Sequence, residues 1–112
     1  MLFEIRDYHY RPDLFEAYLA WAEKAVPVLR AHMDVLGFWV DQGIPPEITG
    51  AQPFDSPLGA ANVTWILRWP DLEARARGFR DTLASPEWKA VWAEHPDPGG
   101  YLQMSGRFMK AM

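Results

Sequence analysis

Leu2-Phe3-Glu4-Ile5-Arg6-Asp7-Tyr8-His9-Tyr10, running straight into Arg11-Pro12-Asp13-Leu14-Phe15-Glu16, is the stretch on which the fold turns. Successive side chains of a strand point to opposite faces, so the alternation over residues 2–10 predicts a strand. Phe3 and Ile5 then share one face, while Leu2, Glu4, Arg6, Tyr8 and Tyr10 share the other. The apolar pair is expected to pack against helices and the polar row to lie on the opposite side. Pro12 suits the first turn of a helix, and Asp13 and Glu16 complement its positive end. Phe15, Tyr18, Leu19, Ala22, Ala25, Val26, Leu29 and Met33 follow at helical spacing, which predicts an amphipathic helix over 12–33. Pro27 should bend it, because the bond to the carbonyl of Glu23 is lost.

Outward from this unit, Leu36 to Gln42 reads as a second strand in which Leu36, Phe38 and Val40 face opposite to Trp39. Residues 43–60 hold four Pro and three Gly without periodicity and form a long loop. This loop, with Phe54 in it, is expected to act as a lid or as an arm that strengthens a dimer. Asn62 to Trp69 is a third strand, rich in β-branched and aromatic residues. Pro70-Asp71 opens a helix carried by Leu72, Ala76, Phe79 and Leu83, and Ser85-Pro86-Glu87 restarts it. Pro96-Asp97-Pro98-Gly99-Gly100 ends that second piece, and Tyr101 to Lys110 supplies a fourth strand. The order β-α-β-β-α-β predicts one α+β domain over 1–112 of ferredoxin-like type, with an antiparallel four-stranded sheet and both helices on one face. The uncovered face carries Trp39 or Phe38, and Trp65 or Ile66, depending on parity. Such a face is too apolar for water, and a second copy of the chain is the economical cover.

Composition narrows the function. The 112 residues carry eleven Lys plus Arg against fifteen Asp plus Glu, a net charge of −4 with no basic run, which argues against nucleic acid. The absence of cysteine excludes disulfides, thiolate catalysis and zinc–thiolate sites. No apolar run approaches the ~20 residues of a membrane span, and no leader precedes the first strand, so a cytoplasmic protein is expected. Six Trp, six Phe and four Tyr exceed what one small core needs and point to a pocket or a partner surface.

Several stretches, taken in order, resemble the NIPSNAP family, within the dimeric α+β barrel superfamily. They are Phe3-Glu4-Ile5-Arg6-Asp7-Tyr8, then His32 with Leu36-Gly37-Phe38-Trp39, then Asn62-Val63 leading to Arg68-Trp69. Asp71-Leu72-Glu73-Ala74-Arg75 and Ser85-Pro86-Glu87-Trp88 complete the set. The resemblance implies a homodimer whose sheets face each other as a barrel. Its wider superfamily includes cofactor-independent monooxygenases, haem-degrading enzymes, isomerases and polyketide cyclases, and a shared fold licenses none of these in particular. The family often has a His and then a Trp in the third strand, where this chain has Trp65 and Leu67. A mechanism that relies on that His is not carried over.

Glu4, Arg6 and Tyr8 share a strand face, so a carboxylate, a guanidinium and a phenol can line one cavity. There Arg6 would anchor an anionic or enolate oxygen, Tyr8 would donate a proton, and Glu4 would contact substrate. The plainer alternative is a structural Glu4–Arg6 pair. His32, at the end of the first helix, is the candidate base, or else a helix-capping residue. Trp39 and Trp65 are expected to hold a flat ring. His95 shares a face with Trp88, Val91 and Trp92 and reads as core more readily than as a haem ligand. The three histidines lack metal-ligand spacing, and no cofactor is expected. Two readings follow. One is a cofactor-free oxygenase, isomerase or cyclase acting on a hydrophobic, aromatic or polyketide-like small molecule. The other is a non-catalytic binding or dimeric interaction module.

Overall fold

The computed structural model describes residues 1–53 and 56–112. Its elements are β1 (Leu2–Tyr10), α1 (Phe15–His32), β2 (Val35–Val40), β3 (Val63–Trp69), α2 (Leu72–Ala84), α3 (Pro86–Trp92) and β4 (Tyr101–Met109). A single 3₁₀ turn, Pro12–Leu14, leads into α1, and a second, Pro98–Gly100, leads into β4. The four strands form an antiparallel sheet in the order β2-β3-β1-β4, with the helices on one face: the α+β ferredoxin-like arrangement.

Local chemistry sets the boundaries. The Asp71 side chain caps α2 by accepting from the Ala74 N–H at 2.8 Å. The Ser85 hydroxyl caps α3 by accepting from the Trp88 N–H. Pro86, at the first position of α3, has no N–H to continue α2, so the helix breaks there and restarts. Pro27 is absorbed within α1, which runs through it. Gly78 and Gly100 are close approaches: a Cβ would sit 2.5 Å from the Trp69 ring and 2.7 Å from the Tyr10 ring respectively.

One expectation is reversed. The row Glu4, Tyr8 and Tyr10 faces the helices and is buried, whereas Phe3 and Ile5 lie on the outer face of the sheet. Alternation defines two faces without saying which is inside. The tyrosines decide it: Tyr10 stacks on Tyr18 of α1 with ring centroids 4.6 Å apart, and Tyr8 meets Tyr101 edge-on at 5.4 Å. Glu4 can follow them inward because Arg75 of α2 comes down to meet it. Val63, Trp65, Leu67 and Trp69 also face the helices. Phe38 joins them against Trp65, which leaves Trp39 outside at 53 % exposure.

The outer face therefore carries Phe3, Ile5, Ile66, Trp39 and Met109, with the directly paired Ile5 and Ile66 near its middle. Thr64 donates to Asp7 at 2.6 Å on the same face. The loop between β2 and β3 closes at its base, where the Asp41 N–H donates to the Asn62 carbonyl. Asn62 exchanges two hydrogen bonds with the Tyr10 backbone, and the His9 ring meets the Gly59 carbonyl at 2.7 Å. Phe54 lies outside the described residues. No helix among the described residues is long and apolar enough to cross a membrane.

Candidate functional site

Between the sheet and the helices lies a cavity of about 230 Å³. α1 supplies Tyr18, Trp21, Ala22, Ala25, Val26 and Leu29, whose helical spacing turns one stripe toward the sheet. The small Ala22 and Ala25 leave the space that larger residues would fill. Phe38 and Trp65 form the floor, and Phe79, Leu83, Trp88 and Trp92 form the opposite wall. The α3 wall is tied to α1 by Trp21, whose Nε1–H donates to the Val91 carbonyl at 2.7 Å. The polar groups of the lining are Arg6, Tyr8, Tyr18, Thr82 and Tyr101 beside the indoles, so the cavity is an apolar chamber with one charged corner.

That corner is built on Glu4, which is 0 % exposed. Its Oε1 accepts from Trp69 Nε1–H at 3.0 Å and from Arg75 Nε–H at 2.7 Å. Its Oε2 accepts from Arg75 Nη2–H and from Arg6 Nη1–H, both at 2.8 Å. Burial pushes the Glu4 carboxyl up, but the bonds from Arg75, Arg6 and Trp69 outweigh it and hold it below the usual range. Burial likewise works against the Arg6 charge, and Tyr8 and Glu4 more than restore it. Arg6 Nε–H donates to Tyr8 Oη at 2.7 Å, so the Tyr8 hydroxyl keeps its own proton to offer to a ligand oxygen. The Arg6 guanidinium also lies 5.4 Å from the Phe79 ring centroid and 5.8 Å from that of Trp65.

A second polar unit backs the far wall. The buried His95 accepts the Asp97 N–H at Nδ1 (3.1 Å), so Nε2 carries the proton and donates to Tyr101 Oη at 2.8 Å. Burial depresses the His95 pKa against the opposing pull of Asp97 and favours this neutral form. With both ring nitrogens engaged, His95 has no lone pair to give a haem iron. Among the described residues no group of three His, Asp or Glu side chains is arranged to hold a metal ion.

Of the residues singled out from sequence, Arg6, Tyr8 and Trp65 line the cavity, and Glu4 lies behind them as the anchor of Arg6. His32 and Trp39 are elsewhere. His32 stands 3.6 Å from Glu87 on α3 and borders a separate open groove with Asp34 and Arg68. Trp39 lies on the outer face, its ring over Gly37. No described residue of the loop 43–60 lines the cavity, so the lid expectation has no support there. Sequence reading missed Arg75, Tyr101 and Trp21. The spacing of Arg75 from Phe79 on α2, i to i+4, was the available signal for a residue aimed at the sheet.

No protein-family model matches the chain, and no curated protein matches it. Solved structures do. A NIPSNAP family protein of unknown function from Agrobacterium tumefaciens superposes with a TM-score of 0.73 at 20 % identity, over 99 % of this chain and 87 % of that one. The fold is that of the NIPSNAP proteins. An antibiotic biosynthesis monooxygenase shares this NIPSNAP-like fold at a TM-score of 0.58 and 17 % identity, over 100 % and 99 % of the two chains. A dimeric ferredoxin-like protein of unknown function from Thermobifida fusca follows at 0.50 and 15 %, over 98 % and 90 %.

Two buried groups, Glu4 and His95, set an acid limit on stability. Glu4 has a folded pKa below its unfolded one, so its contribution is present above about pH 4.3 and lost as pH falls through the lower folded value. His95, also depressed when folded, contributes fully above about pH 6.5 and loses that contribution below it. The melting temperature is therefore expected to fall in two stages from pH 7.5 to about pH 3.5. His95→Gln, followed by calorimetry over that range, should remove the upper stage alone.

Proposed function

We propose that the chain is a homodimeric small-molecule protein whose cavity takes an aromatic or polyketide-like ligand, in the manner of a cofactor-free oxygenase, isomerase or cyclase. One observation carries the reading: an apolar chamber of about 230 Å³ with a guanidinium and a phenol converging at one corner. A dry cavity of ~150 Å³ lined by Leu, Ile and Phe admits benzene, so this one has room for a somewhat larger ring system. In catalysis Arg6 would stabilise negative charge developing on a ligand oxygen, and Tyr8 would supply the proton. The likeness to an antibiotic biosynthesis monooxygenase supports oxygen chemistry as one member of this class. The dimer draws support from the apolar outer face and from the dimeric ferredoxin-like neighbour.

A second reading, a non-catalytic binder, is favoured by a specific feature. Among the described residues neither a histidine nor a carboxylate lines the cavity, so a proton-abstracting base is not at hand. Titration with 2-naphthol, followed by tryptophan emission, tests the part common to both. Saturable quenching is expected, and Ala25→Met, which fills the chamber from α1, should remove it with little loss of melting temperature. Quenching that survives Ala25→Met would place the ligand outside the cavity. Oxygen uptake with dihydroxynaphthalenes separates enzyme from binder: turnover lost in Arg6→Ala supports the first, and no uptake the second.

A further inference from the structure

We infer that the ligand of this cavity is a monoanion on one or two fused aromatic rings, its anionic oxygens seated at Arg6 beside Trp65. The inference rests on the proposed reading of the cavity as a ligand site and names its substrate class. Glu4 meets two guanidiniums, Arg6 and Arg75, and neither has another carboxylate within 4 Å among the described residues. One negative against two positives leaves the corner with a single uncompensated positive charge in a setting otherwise walled by apolar groups.

The hydrogen bonds locate that charge. Arg75 takes Glu4 as a bidentate pair, one N–H to each oxygen, while Arg6 reaches one oxygen through Nη1 alone. With the Trp69 indole added, Glu4 accepts four hydrogen bonds, the capacity of a carboxylate, and has nothing further to give Arg6. Arg6 spends Nε–H on Tyr8 and one Nη1–H on Glu4, and it lines the cavity with its three remaining N–H donors unpaired among the described residues. The surplus charge belongs to Arg6.

An independent observation points the same way. The Trp65 Nε1–H is buried and has no acceptor among the described residues, and the ring of Trp65, on the cavity wall, has its centroid 5.8 Å from the Arg6 guanidinium carbon. Buried donors are nearly always paired, so an unpaired one on a residue of the chamber wall is open to an acceptor that a ligand brings. A carboxylate or phenolate satisfies both demands: it pairs the Arg6 charge and offers a second lone pair to the indole. Phe38, Phe79 and the Trp65 ring supply flat apolar walls for the body of the molecule. A volume of about 230 Å³ lies above the ~150 Å³ that holds one benzene ring and below the ~300 Å³ where drug-sized sites begin.

Calorimetric titration at pH 7.5 with 2-naphthoate, 2-naphthylmethanol and anthracene-2-carboxylate tests this. 2-Naphthoate should bind about tenfold or more tighter than the neutral alcohol of the same shape, as expected for hydrogen bonds to a charged group. Trp65→Phe should reduce naphthoate affinity by about tenfold and leave the alcohol nearly unchanged. The three-ring acid should bind far more weakly than naphthoate. Equal affinity for acid and alcohol would overturn the anion assignment while leaving the cavity a ligand site. Tight binding of the three-ring acid would overturn the size limit. Naphthoate affinity unmoved by Trp65→Phe and by Ala25→Met would put the anion elsewhere. Binding of neither naphthalene would remove the cavity reading itself.

Discussion

Glu4→Ala is expected to cost about 3–5 kcal/mol of folding stability, a loss on the scale of truncating a buried aromatic residue. The carboxylate is fully buried and accepts from Arg6, Arg75 and Trp69. Its removal leaves two guanidiniums facing one another across a void, and an indole N–H without an acceptor. For a domain of this size, whose total stability is about 5–15 kcal/mol, that is a loss on the scale of the whole margin. Urea denaturation of wild type and variant measures it. Adding Arg75→Met to Glu4→Ala should recover part of the loss, because the second change removes one unpaired charge. A loss below about 1 kcal/mol would mean that water enters the cluster and that the charge count at Arg6 no longer holds.

Ile66→Asp is expected to convert the proposed dimer to a monomer at micromolar concentration. Ile66 pairs directly with Ile5 on the outer face, and the twofold axis of the proposed dimer would place both copies of the new carboxylate in one interface. Two uncompensated buried charges should weaken association by several kcal/mol, roughly a thousandfold or more in Kd. The change points away from the core, so the melting temperature of a dilute sample should fall far less than with Glu4→Ala. Light scattering during size exclusion reads the mass directly. A wild-type chain already monomeric would end the dimer proposal.

Periodicity and punctuation made the fold legible. Alternation in 2–10 and 62–69, helical spacing after Pro12, and the Ser85-Pro86 restart each had a local cause that the tertiary structure kept. The side of the sheet that faces inward was not legible, because Phe3 and Ile5 look like core residues and Glu4 and Arg6 do not. What reversed the choice was non-local packing, Tyr10 on Tyr18 and Tyr8 on Tyr101, which Glu4 follows inward because Arg75 meets it across about seventy residues. No sequence pattern in one chain reports such a partner. The candidate site divided along the same line. Arg6, Tyr8 and Trp65 share a face with the helices and arrive at the cavity together. Trp39 was grouped with Trp65 for its ring, yet the irregularity between Val35 and Gly37 and the strand's own parity put it outside. His32 sits on the last turn of α1, beyond the stripe that faces the sheet, and meets Glu87 instead.

The most direct test of the cavity is the set of tryptophan indole N–H signals in a ¹⁵N-labelled sample titrated with 2-naphthol. Trp21, Trp65, Trp88 and Trp92 line the chamber, while Trp39 lies on the outer face as an internal control. Saturable shifts are expected at the four lining indoles, largest at Trp65, with Trp39 unmoved. Shifts confined to Trp39, or none at all at saturating ligand, would contradict it.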